Sequence, residues 1–189
     1  TTFFDVPGTY WAWSWIEILY ANGITDGCGS LLPKLYCPET PVTRAQMAIF
    51  LERGINGSAY VPPFATGTVF GDVPANHWAG GWIEKLAADG ITSGCGSGNY
   101  CPESSVTRAQ MAIFLLRAKY GSAYLPPDVG TGTGFADVPA DHWAAAWIKQ
   151  LAAENITSGC GTGLYCPDTP VTRAQMAVFL TRTFNLVQP

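Results

Sequence analysis

Two hydrophobic patterns alternate along the chain, and each occurs three times. In the first, Trp78, Trp82, Ile83, Leu86 and Ala87 fall at helical spacing within residues 77–88. That spacing predicts an amphipathic helix with one apolar face. The helix is expected to stop at Gly23, Gly90 and Asn155. Gly twice and Asn once suits a left-handed residue just past a helix end, since Asn tolerates positive φ better than other side chains. In the second pattern Met111, Ala112, Phe114 and Leu115 form a stripe, and here the helix start is legible too. Val42-Thr43-Arg44-Ala45-Gln46-Met47-Ala48 recurs at 106–112 and 171–177. Thr is a good N-cap, Gln three residues on completes a capping box, and Val and Met occupy the two positions of a hydrophobic staple. Arg44, Arg108 and Arg173 then stand at the first helical position, where a positive charge against the helix dipole costs a few tenths of a kcal/mol. Arg53, Arg117 and Arg182, near the far end, suit the dipole's negative pole.

The two patterns recur together about 65 residues apart, which makes the chain a tandem array. Each unit opens with Phe-x-Asp-Val-Pro (Phe3, Phe70, Phe135). Between its helices lie Ile-Thr-x-Gly-Cys-Gly and Tyr-Cys-Pro (Tyr36, Tyr100, Tyr165). The reading is a mainly α protein of three helix-loop-helix repeats at 1–56, 70–120 and 135–189, joined by segments 57–69 and 121–134. Both joining segments carry Gly-Ser-Ala-Tyr-x-Pro-Pro. A flexible tether would not need that sequence twice, so an extended, polyproline-like strap with its Tyr packed on the domain is expected. Thr1 aligns with Thr68 and Thr133, so the sequence begins inside what would be a preceding strap. A processed product or a piece cut from something longer is expected.

Composition narrows the classes. With 189 residues and 48% hydrophobic, the chain can bury a real core, yet no run approaches the roughly 20 apolar residues of a membrane span. A net charge of −4 with no clustered Lys or Arg disfavours nucleic acid. Six cysteines come one pair per repeat, Cys28–Cys37, Cys95–Cys101 and Cys160–Cys166, each bracketing a Gly-rich loop. Three local disulfides follow, with an oxidising, exported setting. A metal site is not expected, because zinc needs four ligands and each repeat offers two Cys without a regularly placed His. No cofactor motif, Ser-His-Asp set or repeated carboxylate pair is present, so no catalytic residues and no enzyme are expected.

The ordered set of Phe-x-Asp-Val-Pro, the Trp-Ala helix, the Ile-Thr-x-Gly turn and Thr-Arg-Ala-Gln resembles the S-layer homology (SLH) domain, three in tandem over essentially the whole chain. The resemblance implies a pseudo-threefold, three-pronged spindle. It also implies an exported bacterial cell-surface protein held to cell-envelope polysaccharide through grooves between repeats. The family's groove Arg, which meets an anionic sugar substituent, maps by motif to Arg44, Arg108 and Arg173. Two departures stand out: Gln46, Gln110 and Gln175 replace the family's usual Glu, and the cysteine pairs are additional.

Two readings of the Arg trio compete. In one, each Arg pairs with Asp5, Asp72 or Asp137. In the other, the Arg, the adjacent helix N–H groups and the Gly loop (Gly27, Gly94, Gly159) form an anion site. Trp11, Trp78 and Trp143 are expected in the core by their helical spacing, with sugar platforms as the alternative, and they complete the candidate ligand set. Trp13, unrepeated, is the better candidate for an exposed contact. His77, His142, Glu17 and Glu84 read as capping or surface groups. The leading function is non-catalytic binding of an anionic glycan. Its rival is a self-assembling subunit of an extracellular lattice or filament, with copies of the chain as partners.

Overall fold

A computed structural model describes residues 1–29 and 32–188. Six helices follow one another: α1 (Trp13–Ala21), α2 (Arg44–Asn56), α3 (Gly80–Ala88), α4 (Arg108–Tyr120), α5 (Ala145–Ala153) and α6 (Arg173–Thr183). The long helices start as the sequence reads. Thr43, Thr107 and Thr172 cap α2, α4 and α6, each with a complete capping box. Val42, Val106 and Val171 are fully buried with Met47, Met111 and Met176, which seats the staples in the core. The short helices also stop where expected: Gly23, Gly90 and Asn155 all have positive φ, 67°, 70° and 57°. In each case the next residue's N–H donates back to the helix, Ile24 to Leu19, Ile91 to Leu86 and Ile156 to Leu151. This double turn satisfies carbonyls that a helix end otherwise leaves open.

The three capping segments meet on a pseudo-threefold axis. Val42 N–H donates to the Val171 carbonyl (2.9 Å), Val171 to Val106 (2.9 Å) and Val106 to Val42 (3.0 Å), a closed ring of hydrogen bonds. From it α2, α4 and α6 diverge in mutual contact. The three prongs are not the sequence repeats, however. α3 packs on α2, α5 on α4, and α1 on α6, so each prong joins the long helix of one repeat to the short helix of the next. The last pairing closes the array on itself. One shared core results, running through Phe3, Ile16 and Leu51 as well as Leu86, Leu115 and Leu180.

The straps pack along the short helices. A side chain at Gly81 would lie 2.4 Å from the Pro63 carbonyl, so the strap runs against the α3 backbone. Tyr60 meets Trp82 edge-on, and Tyr124 meets Trp147 likewise. Glu84, on α3, accepts from the Thr66 and Gly67 N–H groups at 2.8 Å and ties the strap's end. After α6, Phe184 covers Gly54 of α2, and the Val187 carbonyl accepts from Asn22 Nδ2.

Two expectations about tryptophan are corrected. The short helices begin one turn later than the spacing suggests, because each is preceded by a tight backbone turn in which the Trp13, Gly80 or Ala145 N–H donates to the carbonyl of Tyr10, His77 or His142. Ala12, Ala79 and Ala144 therefore take the buried position, and Trp11, Trp78 and Trp143 are each 60% exposed. Trp13 does the reverse: it packs against the core where Gly80 and Ala145 stand in the other repeats.

The disulfides close with Cα separations of 5.9, 6.0 and 6.0 Å. They sit in the interhelical loops, outside the axial ring and the prong contacts. Each should contribute roughly 2 to 3 kcal/mol by loop closure. Reduction is therefore expected to lower the melting temperature by roughly 4 to 12 °C per bond while helical circular dichroism persists at 25 °C. Global unfolding at 25 °C would show that the loops organise the fold.

Candidate functional site

Each first-turn Arg is engaged in a reciprocal clamp with a Tyr from another repeat. Arg44 Nε donates to the Tyr100 carbonyl (2.7 Å), while Tyr100 Oη donates to the Arg44 carbonyl (2.8 Å). Arg108 and Tyr165 repeat the exchange, as do Arg173 and Tyr36. The guanidinium carbon lies 4.7 to 4.8 Å from the Tyr ring centre and also faces Phe114, Phe179 or Phe50. All three Arg are buried, and burial lowers their pKa, opposed by the nearby Tyr and Asp. The same burial raises the three Tyr hydroxyls.

The Arg–Asp ion pairs of the first reading do not form among the described residues. Instead each Asp accepts from the clamp's own peptide: Asp72 from Tyr100 and Cys101 N–H, both 2.7 Å, and Asp5 and Asp137 from Tyr36–Cys37 and Tyr165–Cys166. Burial pushes Asp72 and Asp137 upward, but these N–H bonds and the nearby Arg hold both below the usual carboxylate range. Arg and Asp thus address opposite ends of one Tyr residue.

The helix N-termini are occupied as well. N–H groups of Arg44 and Ala45 donate to Ser104 and Pro102, those of Arg108 and Ala109 to Thr169 and Pro167, and those of Arg173 and Ala174 to Thr40 and Pro38. With the third N–H taken by the capping Thr, no first-turn donor is left for an anion. This part of the sequence-based anion site is not built.

What remains open is the outer edge of each clamp. A wide groove of about 760 Å³ is lined by Trp11 and Trp15 of the first repeat, Arg108 of the second, and Gly159, Gln175 and Arg182 of the third. A narrower one of about 250 Å³ combines Trp78, Arg173, Gly27, Gln46, Asp26 and Arg53. Six of the nine candidate residues therefore gather, as Arg108 with Trp11 and Gly159, and as Arg173 with Trp78 and Gly27. Arg44, Trp143 and Gly94 occupy the equivalent positions of the third prong junction, where α4 meets α5. The glycines are there for backbone reasons. A Cβ on Gly27, Gly94 or Gly159 would lie 2.3 to 2.4 Å from a carbonyl across the loop, and φ is about +100° at each.

Arg53 and Arg182 are the groove residues that the helix-dipole reading understates. Arg53 lies over the Trp82 ring (5.6 Å) and Arg117 over Trp147 (5.5 Å), each reaching to the short helix of the following repeat, and Arg182 lies over Trp15 (5.1 Å), reaching back to the first. The signal was in the sequence, since each follows its first-turn Arg at one fixed interval. A cluster of Asp137, Cys160 and Cys166 lies close enough for a metal, but both sulfurs are in a disulfide and offer no thiolate.

Comparison with known proteins fits this architecture. The S-layer homology domain profile matches residues 69–112 and 134–177. S-layer protein EA1 of Bacillus anthracis is 31% identical over 125 residues, 66% of this chain and 14% of its own length. An uncharacterized cell wall amidase of Bacillus anthracis is 31% identical over 96% of the chain, and 32% of its length is covered. The cellulosome-anchoring protein of Acetivibrio thermocellus is 23% identical over 80% of the chain and 34% of its own. The chain thus spans about a third or less of these relatives.

Proposed function

Because the chain belongs to the S-layer homology domain family, we propose that it is a non-catalytic bacterial cell-surface module that binds an anionic cell-envelope polysaccharide in the grooves between its prongs. The observation that carries this reading is the wide groove. It sets two guanidiniums, Arg108 and Arg182, beside an indole that is 60% exposed, and among the described residues no carboxylate lines it. An exposed indole face suits the C–H face of a sugar ring, and paired guanidiniums suit its carboxylate or phosphate substituent. The relatives fit too, since they include S-layer and cellulosome-anchoring proteins. Relatives named as an amidase or an amylopullulanase contain much more chain than this one, with room for catalysis elsewhere.

Self-assembly through repeat-to-repeat contacts has weaker support, because those contacts are used internally: α1 already closes on α6. Trp11 gives the cleanest test, being exposed and outside the clamps. Trp11→Ala is expected to leave the melting temperature within about 1 °C and to lower binding to purified cell-wall polysaccharide about tenfold, measured by calorimetry. Unchanged affinity would remove the wide groove from the binding surface.

A further inference from the structure

The two grooves are built alike but charged differently. Where the wide groove has Ser158 in its Ile-Thr-x-Gly turn, the narrow groove has Asp26. Asp26 Oδ2 lies 3.6 Å from Arg53 Nη1, and its side chain is 81% exposed into the groove mouth. Among the described residues Arg182, the counterpart of Arg53, has only main-chain acceptors, the carbonyls of Asn155 and Ile156. The inner Arg differ in the same direction. Arg173 Nη2 donates to the Gly27 carbonyl at 2.9 Å, whereas Arg108 Nη2 makes only a 3.5 Å contact with Thr157 Oγ1. The narrow groove therefore holds two guanidiniums against one carboxylate, with one donor already committed. In the wide groove two guanidiniums face no carboxylate among the described residues, and the inner one keeps donor capacity.

We propose that Asp26 is a specificity-determining residue that grades the grooves, making the wide groove the primary site for an anionic sugar and the narrow groove a site of low charge selectivity. This rests on the groove-binding reading above and adds which groove the charge prefers, and why. A carboxylate several ångströms from a bound anion, at a half-exposed site, weakens binding by roughly threefold to tenfold at moderate ionic strength. Neutral sugar contacts are untouched by it.

Each groove has its own reporter, the indole N–H of Trp11 or Trp78, so two-dimensional ¹H–¹⁵N spectra can titrate both at once in the intact chain. The probes are glucuronic acid at pH 7 and, as the neutral control, methyl glucoside. With glucuronate the Trp11 signal is expected to titrate at roughly fivefold lower concentration than Trp78. Asp26→Ser should bring the two within about twofold. Ser158→Asp should weaken the Trp11 response instead, and high salt should narrow the gap in the wild type. Equal wild-type dissociation constants for glucuronate, with glucuronate still preferred to the glucoside, would overturn the grading and leave the proposed function standing. Equal response to both probes would overturn the anionic reading itself. No response at either indole would remove both.

Discussion

Replacing Arg108 with alanine is expected to lower the unfolding free energy by about 3 kcal/mol, and the melting temperature by roughly 6 to 12 °C. The reason is what the side chain leaves behind. Its Nε satisfies the buried Tyr165 carbonyl, and its guanidinium lies between the Tyr165 and Phe179 rings. Losing a charge-assisted hydrogen bond to a buried acceptor costs about 1.5 to 3 kcal/mol, and the desolvated cation–π contacts add about 1 kcal/mol. Relief of charge against the helix dipole returns only a few tenths of a kcal/mol. Tyr165→Phe removes the other half of the clamp, so the two substitutions should show a coupling of about 1 kcal/mol in a double-mutant cycle. Denaturant unfolding of the four proteins measures it. An Arg108→Ala protein as stable as wild type would mean the clamp is incidental. Loss of glycan binding in this variant therefore cannot by itself identify Arg108 as a ligand, which is why Trp11 is the better binding probe.

Glu52→Gln should stabilise the protein at alkaline pH and do nothing at acidic pH. Glu52 is fully buried on α2, where the other long helices have Leu116 and Thr181. Only one of its oxygens has a partner: Asn56 Nδ2 donates to Oε2 at 2.9 Å, and Oε1 is unsatisfied. Burial first, and then the Asp89 carboxylate, raise its pKa from 4.5 to about 7, against the pull of Lys85 and Asn56. Lys85 is itself paired with Asp89. The folded state therefore holds a proton that the unfolded chain has released, so stability is full below pH 4.5 and falls as pH rises through 7. That rise corresponds to at most ~3 kcal/mol, and relaxation around a buried carboxylate brings the working figure to about 2 kcal/mol. At pH 8 the variant should melt roughly 4 to 8 °C above wild type, and at pH 4 the two should coincide. Parallel stability curves across this range would show that Glu52 titrates normally.

The local features were legible because their causes lie within a few residues. Thr43 and Gln46 close their own capping box, Gly23 and Asn155 turn the chain at their own helix end, and Cys95 lies six residues from Cys101. Local reading fell short at Trp78. Helical spacing put it on the core face, but a tight turn closed by the Gly80 N–H on the His77 carbonyl precedes the helix and leaves the indole outside.

From the sequence alone came three repeats, six helices, the starts of the long ones and the stops of the short ones, the three disulfides and the family. All of these are encoded in short-range spacing, which hydrogen-bond geometry and side-chain periodicity translate directly. Only the tertiary structure decided which helices share a prong, that Arg44, Arg108 and Arg173 clamp Tyr rather than pair with Asp, and that each groove draws on all three repeats. Those outcomes depend on groups as far apart in sequence as Tyr36 and Arg173, brought together when the valine ring closes on the axis and α1 docks on α6. The Arg's preference is likewise set in three dimensions. Each Asp is already held by the Tyr and Cys N–H groups, so the nearest acceptor for a buried guanidinium is the Tyr carbonyl at the other end of the same residue.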